Sequence, residues 1–195
     1  GVANGTPGTP NSAGIMLLGG AANNYIGGVA GTGTFVPNFI GQNNGRGISL
    51  SNGGIAGVGP AGTANAIGFN NIVNNTGLGI DLGHDGVTAN DAGDVDTGPN
   101  NFQNTAEITS AVDHGDNTVI DGQLLSTPLT PFRISLYHNA ACDPSGSGEG
   151  ETHVENFTVF TNTDGTATFT RNVPRFTIGT FITAIASTLS DEEIN

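Results

Sequence analysis

The amino-acid sequence predicts an all-β protein in which a short parallel β-helix is followed by an antiparallel β-sandwich. Three observations support this fold class. The first half of the chain repeats at a fixed period, which is typical of a solenoid. The apolar segments of that half are short, and each is bounded by Gly and Asn. The second half has alternating β-rich runs that are separated by turn residues.

Composition divides the chain near residue 104. Residues 1–100 hold 25 of the 32 glycines, and Arg46 is the only charged side chain before Asp81. We therefore predict β-helix coils with an acidic closing loop over residues 1–104, and an immunoglobulin-like β-sandwich over residues 105–195. Recurring Ile, Leu and Phe argue against the alternative, a disordered Gly-rich linker, because disordered segments lack such residues.

The repeat appears in two ungapped segments, Asn38–Ile48 and Asn70–Ile80, which lie 80 − 48 = 32 residues apart. One strand recurs in three versions, which begin at Gly14, Gly47 and Gly79. Gly and Asn tolerate the left-handed backbone that tight corners require, so short strands joined by such corners can coil. We expect one set of isoleucines to stack inward between coils: Ile15, Ile26, Ile40, Ile48, Ile67, Ile72 and Ile80.

The second half contains six alternating, β-rich runs that predict an antiparallel sandwich. Turn signals such as His114-Gly-Asp-Asn117 and Asp164-Gly165 separate them. The runs are Thr105–Asp113, Thr118–Leu124, Phe132–Tyr137, His153–Phe160, Thr166–Arg171 and Phe176–Ser187.

The motif Asn-Asn-x-Gly-x-Gly-Ile-x-Leu, with Asn-x-Ile before it, resembles right-handed parallel β-helix repeat proteins. The run from Gly79 to Asn104 resembles the segment that closes the last coil in large bacterial secreted proteins, and Phe132–Glu151 resembles the middle of the β-sandwich module that follows it there. The resemblance covers about residues 14–188, and Leu189–Asn195 departs from the pattern. It implies a secreted or cell-surface part of a modular protein, in a group with few assigned activities.

Charge excludes two classes of partner. Four Arg, no Lys and 17 acidic residues give a net charge of −13, which repels nucleic acid and anionic membranes. No apolar run is long enough for a membrane-spanning helix, so we expect no membrane insertion.

Cys142 is the only cysteine, so it cannot form an intrachain disulfide. No secretion signal is visible at Gly1, so secretion implies that the numbering begins after such a segment.

The strongest candidate site is an acidic run in the closing loop. Carboxylates interleaved with Gly can fold around a hard cation, which takes 6–8 oxygen ligands. We predict a Ca²⁺ site, with a solvated acidic loop held by local Asx turns as the alternative. The run begins at Asp81, and the predicted ligands are Asp85, Asn90, Asp91, Asp94 and Asp96.

Other motifs give little support for chemistry. Gly57–Gly62 matches G-x-G-x-x-G, but no helix pattern follows it, so we interpret it as a loop between coils. His153 and Glu155 would share a strand face, but no third metal ligand is evident. Residues 1–80 contain no Asp, Glu, His or Lys, which leaves the coils without the paired carboxylates of a polysaccharide-degrading enzyme.

The sequence therefore predicts a non-enzymatic, extracellular structural or adhesive protein. Its first coil would leave unpaired backbone groups, and Gly1–Pro10 makes a poor cap, so we expect association with copies of itself or with adjacent modules. A filament subunit is one form of this hypothesis, and a monomer with a folded-back N-terminal arm is the alternative. The rival function is carbohydrate binding through Tyr25, Tyr137 or Phe side chains; a polysaccharide-degrading β-helix enzyme is less favoured.

Overall fold

The computed structural model describes residues 13–27, 37–53 and 57–189. Within these ranges the chain is all-β, with thirteen strands and one short 3-10 segment at Pro99–Phe102. No helix in the described ranges has the length and apolar character needed to cross a membrane. The segment Gly1–Pro10, which the sequence predicts to be a poor cap, and residues 190–195 of the divergent C-terminus lie outside the described residues.

The chain divides into two compact units. The parallel unit takes the described residues of Gly1–Thr88 together with Asp96–Phe102 and Cys142–His153. The antiparallel unit takes Ala89–Val95, Gln103–Ala141 and the described residues of Val154–Asn195. Residues 89–95 lie before the predicted boundary near residue 104 but belong to the antiparallel unit. Residues 142–153 lie after that boundary but belong to the parallel unit.

The parallel unit contains seven short strands in three parallel sheets, ordered β1-β4-β7, β2-β5 and β3-β6. Ile40 pairs with Ile72 and Ile48 with Ile80, so the repeat in the sequence is also the register of the sheets. The strands are β1 (Ala13–Leu17), β2 (Tyr25–Gly27), β3 (Asn38–Gly41), β4 (Arg46–Ser51), β5 (Ala66–Gly68), β6 (Asn70–Val73) and β7 (Ile80–Gly83).

The apolar core of this unit is thin. Of the isoleucines expected to stack, Ile26, Ile40, Ile48 and Ile72 are buried. The other three, Ile15, Ile67 and Ile80, are only partly buried and pack against the same cluster.

Asparagine side chains link successive strands and corners of the parallel unit. Asn24 Nδ2 donates to Asn65 Oδ1 at 2.8 Å, and Asn38 Nδ2 donates to Asn70 Oδ1 at 3.0 Å. A third rung joins Asn43 Nδ2 to Asn75 Oδ1 at 2.8 Å. These bonds, together with donations from Asn65, Asn70 and Asn75 to backbone carbonyls, offset much of the cost of burying the carboxamides, whereas Asn43 Oδ1 has no partner among the described residues.

The antiparallel unit contains the six strands predicted for the second half, in two three-stranded sheets ordered β12-β9-β8 and β11-β10-β13. The last strand begins later than predicted, because Thr180 N–H bonds to Thr177 O in a turn that precedes it. The strands are β8 (Glu107–Asp113), β9 (Asn117–Leu125), β10 (Pro131–Asn139), β11 (Thr152–Phe160), β12 (Thr166–Pro174) and β13 (Phe181–Thr188).

Both sheets of this unit contribute to one apolar cluster. Ile120 and Leu124 of β9 and Phe132, Ile134 and Leu136 of β10 are each fully buried within it. Full burial of side chains this large supplies the main stabilising free energy of such a unit. The inward positions alternate along β9 and β12, as the sequence pattern predicts for strands with one buried face.

Candidate metal centre

The acidic stretch begins at a carboxylate that is already paired. The Asp81 side chain is fully buried, and its Oδ2 lies 2.7 Å from Arg46 Nε. Its Oδ1 accepts the backbone N–H of His84 at 2.9 Å. The ring of the same His84 is held as well, because its Nδ1 lies 2.7 Å from Ser49 Oγ. Asp81 therefore acts as a structural anchor for the loop that follows β7.

Asn90 also has a structural partner. Its Oδ1 accepts the backbone N–H of Thr105 at 2.9 Å, and its Nδ2 donates to Thr105 O at 2.9 Å. The carboxamide thus satisfies both backbone groups of Thr105, two residues before β8, which explains why β8 begins at Glu107 and not at Thr105.

Asp94 lies among hydrogen-bond donors of the antiparallel unit. Its Oδ2 accepts from Gln103 Nε2 at 2.8 Å and from Ser126 Oγ, and its Oδ1 accepts from Asn104 N at 3.2 Å. Burial nevertheless raises the pKa of Asp94 above its ordinary value, and the nearby charge of Asp91 raises it further. Three of about four lone-pair positions on this carboxylate are then used, which leaves room for one more ligand.

Three carboxylates of the loop come close together. One oxygen from each of Asp91, Asp94 and Asp96 lies within 4.8 Å of the others. Asp91 Oδ2 accepts the backbone N–H of Val95 at 3.3 Å, whereas Asp91 Oδ1 is buried without a hydrogen-bond partner in the described part of the chain. Negative charges at this separation repel each other, and a hard divalent cation would offset that repulsion.

The five predicted ligands therefore differ in position. Asp91, Asp94 and Asp96 form the cluster, whereas Asp85 is exposed and Asn90 is engaged with Thr105. The sequence reasoning missed Gln103, Asn104 and Ser126, which hold Asp94 in place. Gln103 and Asn104 follow a turn, and Ser126 follows a strand. No local sequence pattern therefore indicates that these residues bind Asp94.

The remaining motifs have structural roles in the described residues. The Gly57–Gly62 loop pairs with the chain after β1, because Gly19 N donates to Gly59 O at 2.8 Å and Gly20 N donates to Pro60 O at 2.7 Å. His153 packs its ring 5.5 Å from that of Phe69, and Cys142 is an exposed thiol.

Comparison with known proteins does not assign this chain to a family. No protein-family model matches the chain, and no curated protein matches it.

Proposed function

We propose that this chain is a non-enzymatic structural or adhesive module of the cell surface or extracellular space, built as a right-handed parallel β-helix followed by a β-sandwich. The observation that carries the proposal is the set of three in-register parallel sheets with asparagine rungs. Strands β1–β6 carry one charged side chain, Arg46, and it is committed to Asp81. A surface of this kind is suited to stacking and adhesion, and it offers no pair of carboxylates for hydrolysis.

Self-association is the part of this proposal that is simplest to test. Strands β1, β2 and β3 each lie at the end of their sheet in the described ranges, and such edges are templates for pairing with further chain. Molar mass should rise with protein concentration in light scattering, and electron microscopy should show pairs or filaments. A constant monomer mass across the concentration range would reject self-association, and would leave adhesion to adjacent modules as the remaining form.

We further propose that Asp91, Asp94 and Asp96 bind Ca²⁺ and stabilise the closing loop. The support is the buried, unpartnered Asp91 Oδ1 beside two other carboxylates. Ca²⁺ at 100 times its dissociation constant would add about 2.7 kcal/mol to the free energy of unfolding. We expect the melting temperature to rise with Ca²⁺ and to fall with chelator.

The metal proposal has a matched control within the same loop. Asp91→Asn should abolish the response to Ca²⁺, whereas Asp85→Asn should keep it, because Asp85 is exposed and outside the cluster. If chelator leaves the wild-type melting temperature unchanged and Asp91→Asn raises it, the loop is a solvated acidic segment and not a metal site.

Carbohydrate binding is the second candidate, and exposed aromatic side chains favour it. Tyr25 and Phe39 are 47% and 41% exposed, and each ring lies beside the glycine two residues further along its strand. Tyr137 is 1% exposed and cannot offer a surface. Saturable binding on a glycan array that Tyr25→Ala or Phe39→Ala weakens would favour this candidate over a purely structural role.

A further inference from the structure

The asparagine rungs of the parallel unit have a direction. Asn43 donates to Asn75 Oδ1 through its backbone N–H at 3.2 Å and its Nδ2 at 2.8 Å. Asn75 in turn donates through the same two groups to Glu149 Oε1, at 2.9 Å and 2.7 Å. Glu149 therefore stands where the next asparagine of the ladder would stand. An ionised carboxylate accepts hydrogen bonds and donates none, so it ends the ladder.

Gly150 occupies the neighbouring backbone edge through an antiparallel bridge to Ile72. Ile72 N donates to Gly150 O at 2.8 Å, and Gly150 N donates to Ile72 O at 3.2 Å, across the edge of β6. A side chain at Gly79 would place its Cβ 3.2 Å from Glu149 Cα, so glycine at that position leaves room for the segment. Glu149 thus accepts the hydrogen bonds of the last asparagine in the ladder, and Gly150 pairs with the backbone at the edge of β6.

The two residues that bind this edge come from far along the chain. Glu149 is separated from Asn75 by 74 residues, within the segment Cys142–His153 that joins β10 to β11 and belongs to the parallel unit. Without them, Ile72 N and O and the N–H groups of Asn75 would form an unpaired edge. Such an edge is a ready template for strand addition.

We propose that Glu149–Gly150 is a plug that blocks pairing of β6 with β3 of a second copy of this chain. Within one chain β3 already pairs in parallel with β6, so a second copy carries a strand of matching register. The same coil of that copy holds a buried acceptor, Asn43 Oδ1, which has no hydrogen-bond partner in the described residues. If Glu149 were displaced, the N–H groups of Asn75 would be free to donate to Asn43 Oδ1 of the second copy. This inference rests on the proposed self-association through the edges of β1, β2 and β3, and it names a different edge, that of β6, at which further pairing is blocked.

The test compares three forms of the full chain by light scattering over a range of concentrations. Glu149→Ala with Gly150→Pro removes the acceptor and the N–H donor of the plug, and should raise the molar mass to about twice that of wild type or more. Glu149→Gln keeps an oxygen in the same place and should match the wild type. A synthetic peptide of residues 142–153 should lower the mass of the double variant again, and a scrambled peptide should not.

Equal masses for the folded double variant and the wild type would overturn the plug. A failure of the proposed self-association would show a different result, namely a wild-type molar mass that stays constant as protein concentration rises. If the double variant does not fold, amide exchange of the wild type decides. Protection of the Ile72 and Asn75 amides supports the plug, and exchange as fast as at exposed loop residues rejects it.

Discussion

The two units of this chain differ in the balance of polar and apolar side chains that they bury. The parallel unit buries four asparagines of its ladders, Asn43, Asn65, Asn70 and Asn75, beside a core of seven apolar residues. The antiparallel unit buries a larger cluster of eleven apolar residues, several of them without any exposed area, and two asparagines, Asn104 and Asn139. Buried asparagine hydrogen bonds in fixed register therefore contribute more to the parallel unit, and apolar contacts contribute more to the antiparallel unit.

This difference predicts how each unit tolerates change. Asn75 has ladder partners on both sides, Asn43 and Glu149, so removal of its carboxamide takes buried hydrogen bonds from both sides. An apolar core has no such directional demand, but it does not accept a polar group that finds no partner. Reciprocal substitutions between Asn and Leu therefore test the comparison directly.

The largest effect is expected from Leu136→Asn in β10. Leu136 is fully buried in the apolar cluster, so the carboxamide would lose apolar burial and find no partner. We expect a loss of about 4 kcal/mol or more in the free energy of unfolding, measured in urea. Val112→Asn is the control, because Val112 is 47% exposed on β8 and should change stability by less than about 0.5 kcal/mol. Similar values for the two variants would contradict the assigned core.

Asn75→Leu should cost about 2–3 kcal/mol, although leucine is more apolar and similar in size. The substitution removes the carboxamide that accepts from Asn43 and donates to Ile40 O and to Glu149, and only the backbone N–H of residue 75 still donates to Glu149. Asn24→Leu is the matched control, because Asn24 is exposed at the start of its ladder and should cost about 1 kcal/mol or less. A neutral or stabilising result at Asn75 would mean that the rungs are not needed for stacking.

A smaller effect is expected at the ion pair between Arg171 and Glu155. The guanidinium bonds to the carboxylate and lies 4.7 Å from the centre of the Phe157 ring, but both charged side chains are partly exposed. A double-mutant cycle with Arg171→Met and Glu155→Gln should give a coupling energy below about 1 kcal/mol, reduced further at high salt. A coupling energy that is larger and independent of salt would show that the pair is effectively desolvated.

The smallest effect is the pH dependence due to Glu149. Burial raises the pKa of this carboxyl above its ordinary value, and hydrogen bonds from Asn75 only partly oppose the shift. The native state therefore binds a proton more readily than the unfolded state, and stability falls as pH rises from the unfolded pKa through the folded one. Glu149→Gln should flatten that part of the curve of melting temperature against pH. An unchanged slope would assign the dependence to other groups, such as Asp94.

Much of the strand arrangement could be predicted from the sequence, because repeats and alternation are local or periodic signals. The pairing of Ile48 with Ile80 follows from the repeat, and each of the six strands of the antiparallel unit follows from its own pattern. The plug could not be predicted, because Glu149 lies in a Gly- and Ser-rich segment whose composition indicates only a turn. Its role depends on a contact with residues distant in sequence.

The candidate site shows the same limit. Asp91, Asp94 and Asp96 lie within six residues, so their proximity follows from the sequence. Spacing alone could not separate them from Asp85 and Asn90, because the backbone groups that Asn90 satisfies lie fifteen residues away at Thr105. Ser126, which helps to hold Asp94, lies 32 residues beyond it. Long-range partners of this kind leave no periodic mark in a single sequence.

The direction of the asparagine ladder has an electrostatic consequence. Each carboxamide and its backbone N–H point their positive ends the same way, from Asn43 through Asn75, so their dipoles add as peptide dipoles add along an α-helix. The carboxylate of Glu149 sits at the positive end of this array, where an acidic residue would sit at the start of a helix. The ladder is thus capped by charge as well as by hydrogen bonding, and a neutral acceptor at position 149 would supply only the second of these contributions.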